Sequence, residues 1–132
     1  MRDKEEYFKT GKVYNLISAL LAFFGWGGWA FLVNSNHGLE RQFVSGITQG
    51  SASFIITLVM VRIISFFYNR ISGRLSRILL PSVFTIIITG SGLVVVHYLA
   101  GTPCIFYTIA PSQVIALIFC LITTVKLENT AN

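Results

Sequence analysis

The sequence predicts an all-α polytopic membrane protein, a bundle of four transmembrane helices with both termini on the inner side. Three observations carry that expectation. Four long apolar runs are separated by short polar connections. Apolar residues make up 54% of the 132 and charged ones only 11%, and the mean hydropathy is +0.71, far from the composition of a soluble domain. The positive charges gather at alternate connections.

A helix needs about 20 apolar residues to cross a hydrocarbon core about 30 Å thick, so four crossings consume the chain and leave one domain, residues 1–132. Lipid offers no partner to an open backbone group, which restricts spanning elements to helices or closed barrels. These runs lack the alternating pattern of barrel strands. The spans run from Val13 to Val33, Phe43 to Tyr68, Ile78 to Leu99 and Ile109 to Val125.

The first span follows a basic tail, exceeds an ordinary signal-peptide core in length and lacks a small-x-small cleavage site, so it reads as a retained anchor. Its segment Gly25-Trp26-Gly27-Gly28-Trp29 implies a bend or a close crossing. Trp29 suits an interfacial anchor, and Trp26, lying deeper, suits packing or the wall of a cavity. In the second span Gly46, Gly50, Ser53 and Thr57 share a face. The third begins near Pro81, with Ser82, Thr85, Thr89 and Gly92 as its small-residue stripe. Before the fourth, Gly101 and Pro103 mark a turn, and Ile105, Phe106 and Tyr107 read as a loop lying in the interface, with Pro111 in the first helical turn.

In lipid, helices associate through close van der Waals approach, so stripes of small residues mark their contacts. The packing set is Gly25, Gly28, Gly46, Gly50, Ser53 and Gly92, and a stripe left uncovered would serve a homo-oligomer. Glycine pairs 65 residues apart, Gly25-x-Gly27 and Gly90-x-Gly92, suggest that each half is a copy of one hairpin.

Nine of the ten basic residues fall on one side: Arg2, Lys4, Lys9, Lys12, Arg62, Arg70, Arg74, Arg77 and Lys126. Only Arg41 is opposite. The positive-inside rule makes the basic side cytoplasmic, and the expected location is the bacterial cytoplasmic (inner) membrane. The formal charge of +5 hugs the span ends, so membrane lipids, not nucleic acid, are its partners. Arg62, Asn69, Arg70, Arg74 and Arg77 are the candidate phosphate-binding residues at the inner headgroups.

No Asp or Glu falls within these spans, which argues against proton-coupled export through a membrane carboxylate. His37, Glu40, Arg41, Gln49 and His97 are candidates for a polar mouth on the outer face, or separate interfacial groups. They lack metal-ligand spacing, and no cofactor is expected. Cys104 and Cys120, placed at different depths, are expected to be free thiols.

The end of the second span, Ser65-Phe66-Phe67-Tyr68-Asn69-Arg70, together with four spans in about 130 residues, resembles the GtrA-like family of small membrane proteins. Phe66, Asn69 and Arg70 match a Phe-x-x-Asn-Arg ending of that family's second helix; the aromatics that usually follow are replaced by Ile71-Ser72-Gly73. The resemblance implies a role with polyprenyl-phosphate-linked sugars, and hence a lipid-linked glycan intermediate as partner. Beside a lipid-substrate binder or translocator stands a noncatalytic accessory subunit of a larger membrane complex. General acid-base groups are too scarce for an enzyme, and the Ser and Thr stripes too sparse for a channel within one chain, which leaves a pore only to an oligomer closed around them.

Overall fold

The computed structural model describes the backbone over residues 2–131 and the side chains over residues 11–130. The basic residues Arg2, Lys4 and Lys9 have side chains outside the described part. Four helices make up the fold: α1 (Arg2–Val33), α2 (Leu39–Tyr68), α3 (Arg74–Ala100) and α4 (Ile105–Ala131), with a 3-10 turn at Ser35–His37 between the first two. Each contains a segment long and apolar enough to cross a membrane: Gly11–Val33, Leu39–Tyr68, Arg74–Ala100 and Ile105–Thr130.

The helices outrun their expected bounds, with consequences at three places. Ile105, Phe106 and Tyr107 form the first turn of α4, not a loop, because Asn34 Oδ1 accepts from the Cys104 N–H at 3.0 Å and fixes the chain there. Pro81 and Pro111 therefore lie inside α3 and α4 rather than at their starts. A proline lacks the N–H that would bond the carbonyl four residues back. For Pro111 that carbonyl is Tyr107 O, and the Trp29 indole N–H donates to it at 3.0 Å, so α1 supplies the bond that α4 cannot. At the other end α4 passes Val125 and carries Glu128 into the bundle, where it is buried. The expectation that no carboxylate lies in a span is corrected there.

α1 and α2 form one hairpin and α3 and α4 a second, and α2 packs against all three others. The turn after α3 needs Gly101, whose φ of 76° lies in the left-handed region. Its N–H reaches Tyr98 O at 3.2 Å and that of Thr102 reaches His97 O at 3.0 Å, a Schellman closure. The turn folds Thr102 back over His97. We call the end with the α2–α3 connection the basic end, and the end with the other two connections the far end.

Among the described residues thirteen buried side chains are polar and eight are apolar, the reverse of a soluble core. Leu, Ile, Val and Phe cover the outside. Where α1 crosses α2 the backbones nearly touch: a Cβ on Gly50 would lie 2.8 Å from Phe23 O, and one on Gly27 would lie 2.9 Å from Gly46 O. Gly46, Gly50 and buried Ser53 stand on this inner side of α2. The expected α1 face is corrected. Gly25 and Gly28 have open space around them, as does Gly92 on α3. The true contact line runs Ala19, Phe23, Gly27, Ala30, Asn34, and on α3 it passes through Thr89, Leu93 and His97. With glycines at 25, 27 and 28, steps of three and four fit two faces of α1, and only the partner helix selects one. Gly27 is buried and Gly92 exposed, so the two hairpins do not repeat their packing at these positions.

Substituting Gly50→Ala is expected to cost about 1–3 kcal/mol through overpacking at the crossing, and Gly50→Leu to prevent assembly. Gly28→Ala should stay within about 0.5 kcal/mol of the parent. Thermal unfolding in mild detergent measures all three, and equal effects at positions 28 and 50 would disprove the assigned crossing.

Candidate functional site

A chain of buried polar side chains descends from the far end into the bundle. Ser45 Oγ donates to Thr102 Oγ1 at 3.4 Å, and Thr102 Oγ1 lies 2.7 Å from His97 Nδ1. His97 Nε2 is 2.6 Å from Gln49 Oε1, and Gln49 Nε2 donates to Ser53 and Ser112 at 3.4 and 3.2 Å. These contacts assign the roles. The Gln49 amide nitrogen is occupied as a donor, so its oxygen accepts, which puts the imidazole proton on Nε2 and leaves Nδ1 to accept from Thr102. A neutral imidazole satisfies both ring nitrogens. No buried side-chain nitrogen or oxygen among the described residues lacks a partner. Nearby, Asn34 Nδ2 donates to Ala30 O at 2.8 Å and to Thr108 Oγ1 at 3.0 Å, tying the end of α1 to the start of α4.

Among the described residues, the side-chain hydrogen bonds that join the end of α1 to α4 are at this far end. Toward the basic end the two helices part, leaving a cavity of about 300 Å³ between α1, α2 and α4. Ser53 and Ser112, where the polar chain ends, lie on its wall with Ser18, Trp26, Thr57 and Gln113. Ile56, Met60, Leu93 and Ala116 supply apolar surface. Tyr14, Ile115 and Phe119 line the cavity and are themselves exposed, so it opens sideways, toward lipid. The Gln113 amide lies 3.3 Å from Thr89 Oγ1, whose proton goes to Thr85 O at 2.9 Å.

At the basic end Arg77 forks onto Glu128, with Nε to Oε2 at 3.0 Å and Nη2 to Oε1 at 2.9 Å. The Tyr68 hydroxyl donates to Oε2 at 2.6 Å, so one carboxylate gathers α2, α3 and α4. Arg77 is therefore engaged within the protein and is not a free phosphate ligand, because α4 extends far enough to bring Glu128 to it. Arg70 lies 3.6 Å over the Phe66 ring and donates to Phe66 O at 3.1 Å. Arg62, Asn69 and Arg74 are exposed, and α2 closes with the Asn69 N–H on Ser65 O at 3.0 Å and the Arg70 N–H on Phe67 O at 3.1 Å.

The five expected outer-face groups separate into an interior pair and a surface set. Gln49 and His97 are fully buried and bonded to each other. His37 approaches Cys104 Sγ at 3.6 Å, Arg41 donates to Gly101 O at 3.0 Å, and Glu40 is exposed. Both cysteines are free, and no group of three potential metal ligands occurs among the described residues. The sequence reading missed Asn34, Thr102, Tyr68 and Glu128. Asn34 at the end of an apolar run and Gly101-Thr102 after a histidine were available signals; the Tyr68–Arg77–Glu128 cluster joins three segments and has none. Comparison with family models, curated proteins and solved structures finds no match to this chain.

Gln49→Leu removes the acceptor of a buried imidazole N–H and is expected to lower stability by about 1–3 kcal/mol, read from unfolding in detergent. Glu128→Gln should lower the unfolding midpoint by leaving Arg77 without its counter-charge, and Arg77→Met with Glu128→Leu should recover more than half of that loss. A double variant as unstable as the single one would show that the ion pair itself holds the helices.

Proposed function

We propose that this integral membrane protein binds a lipid or lipid-linked substrate, taking an apolar chain into the α1–α2–α4 cleft and holding phosphate at the basic end. The observation that carries this reading is the sideways opening of a cavity of about 300 Å³ in a molecule otherwise coated with lipid-facing side chains. An amphiphile enters such a cleft from the bilayer without leaving it. Arg62, Arg70 and Arg74 are the phosphate ligands in this reading, since Arg77 is paired. Stacking on Phe66 leaves Arg70 with guanidinium nitrogens available for bidentate bonds to phosphate oxygens. The clustering of Lys and Arg supports a cytoplasmic basic end, and the Phe66, Asn69 and Arg70 motif of the GtrA-like resemblance supports a polyprenyl-phosphate substrate.

A second reading, an accessory subunit seated on a larger membrane protein, draws on the α1–α2 face. There Phe24, Gly28, Phe31, Phe43 and Ile47 line a shallow apolar groove of about 230 Å³, a shape that accepts a side chain from a neighbouring helix. Recovery of one defined partner from native membranes would favour it.

In native mass spectrometry of the purified protein with undecaprenyl phosphate, Arg70→Gln with Arg74→Gln should cut retention about tenfold or more with insertion intact. Ala116→Trp, which fills the cleft, should cut it similarly. Retention unchanged in both variants would remove the substrate-binding reading.

A further inference from the structure

The cleft wall has a chemical bias that a plain hydrocarbon chain leaves unused. No charged side chain lines it among the described residues, whereas its neutral groups are rich in donors. Thr89 gives its one hydroxyl proton to Thr85 O at 2.9 Å, so the Gln113 amide 3.3 Å from Thr89 Oγ1 bonds it through one N–H, which leaves its second N–H without a partner among the described contacts. Ser53 Oγ accepts from Gln49, and its own hydroxyl proton has no described acceptor. The Trp26 indole N–H likewise has none. Thr57 and Ser112 differ, since their hydroxyls are already donated to Ser53 O at 2.7 Å and Ile109 O at 2.8 Å.

Depth sharpens the chemistry. At 1.5 Å per residue, Gln113 lies about 12 Å along α4 from its start and Ser53 about 21 Å along α2. If each helix is centred on a core about 30 Å thick, Gln113 lies about 7 Å and Ser53 about 14 Å below the far boundary of the hydrocarbon. Ester and phosphate oxygens of a lipid anchored at the basic end stay at the opposite boundary. A donor left without an acceptor at such depth is costly, and so is a phosphate with no counter-charge.

We infer that the cleft is a binding site for a neutral, lipophilic carbonyl compound of the quinone class, one ring oxygen accepting from Gln113 and the opposite one from Ser53, with its ring bounded by Trp26. The inference rests on the cleft of the proposed function being a ligand site, and it names what occupies the cleft's interior. Cavity size fits a single substituted ring with the root of its tail, and the sideways opening lets a prenyl tail continue into the bilayer. A lipid ester drawn inward offers the same carbonyl chemistry as a free quinone.

Isothermal titration of ubiquinone-1 into the full chain in phosphatidylcholine nanodiscs, corrected with empty nanodiscs, tests this. Saturable binding is expected, weakened about tenfold by Gln113→Leu, as loss of one good hydrogen bond implies, and severalfold by Trp26→Phe, which keeps the wall's shape. Arg70→Gln with Arg74→Gln should leave it unchanged. Nanodiscs of diether lipid separate the two sources: tighter ubiquinone-1 binding there identifies a lipid ester as the resident carbonyl, and equal binding identifies the quinone. Absence of saturable binding, or binding indifferent to both cleft variants, overturns the inference. Retention of undecaprenyl phosphate with no ubiquinone-1 binding removes this inference alone, and the converse result removes the phosphate reading alone.

Discussion

A polar group in the hydrocarbon layer must find its partner inside the protein or on what the protein binds, and the rest of this structure follows from how that demand is met. Between helices in lipid the hydrophobic effect supplies no attraction. The bundle is instead joined by directional contacts: Asn34 to Thr108, Gln49 to His97 and Ser112, and Arg77 to Glu128. Satisfying one member of the polar chain fixes the role of the next. With the His97 proton on Nε2, turning the Gln49 amide would deprive Ser112 of a donor and set one N–H against another, so the amide orientation and the imidazole tautomer are coupled.

The same economy shapes the cleft. α1 is bound along α2 by the glycine crossing, and among the described residues its hydrogen bonds to α4 come from Trp29 and Asn34 near the far end. Pro111 is central to this arrangement, since the missing backbone donor in α4 exposes the carbonyl on which Trp29 settles. With α1 held at its top and along one flank, its remaining side diverges from α4. The resulting space is bordered by the terminal hydroxyls of the polar chain, so a wall built for helix packing also presents hydrogen-bonding groups to whatever enters from the bilayer.

At the basic end the arginines divide by partner. Arg77 is neutralised by Glu128 and ties three helices together, and Arg70 is oriented by Phe66. Arg62 and Arg74 remain exposed. A collar that looks uniform as a run of charges therefore comprises one structural residue, one positioned on an aromatic ring and two at the surface.

The sequence by itself determined the crossings, because the length and apolarity of a helix in lipid are local properties that composition reveals. It also pointed to Gly46 and Gly50 as places of close approach and to two free thiols. Tertiary structure alone decided which face of α1 meets α2, since three glycines within four residues make two faces equally small. It alone made His97 an interior residue rather than a surface one, through a turn that folds Thr102 over it, and it alone joined Arg77 to Glu128, 51 residues away. Pairing between distant segments depends on rotation and tilt about helix axes, and no local pattern of residue types encodes those angles.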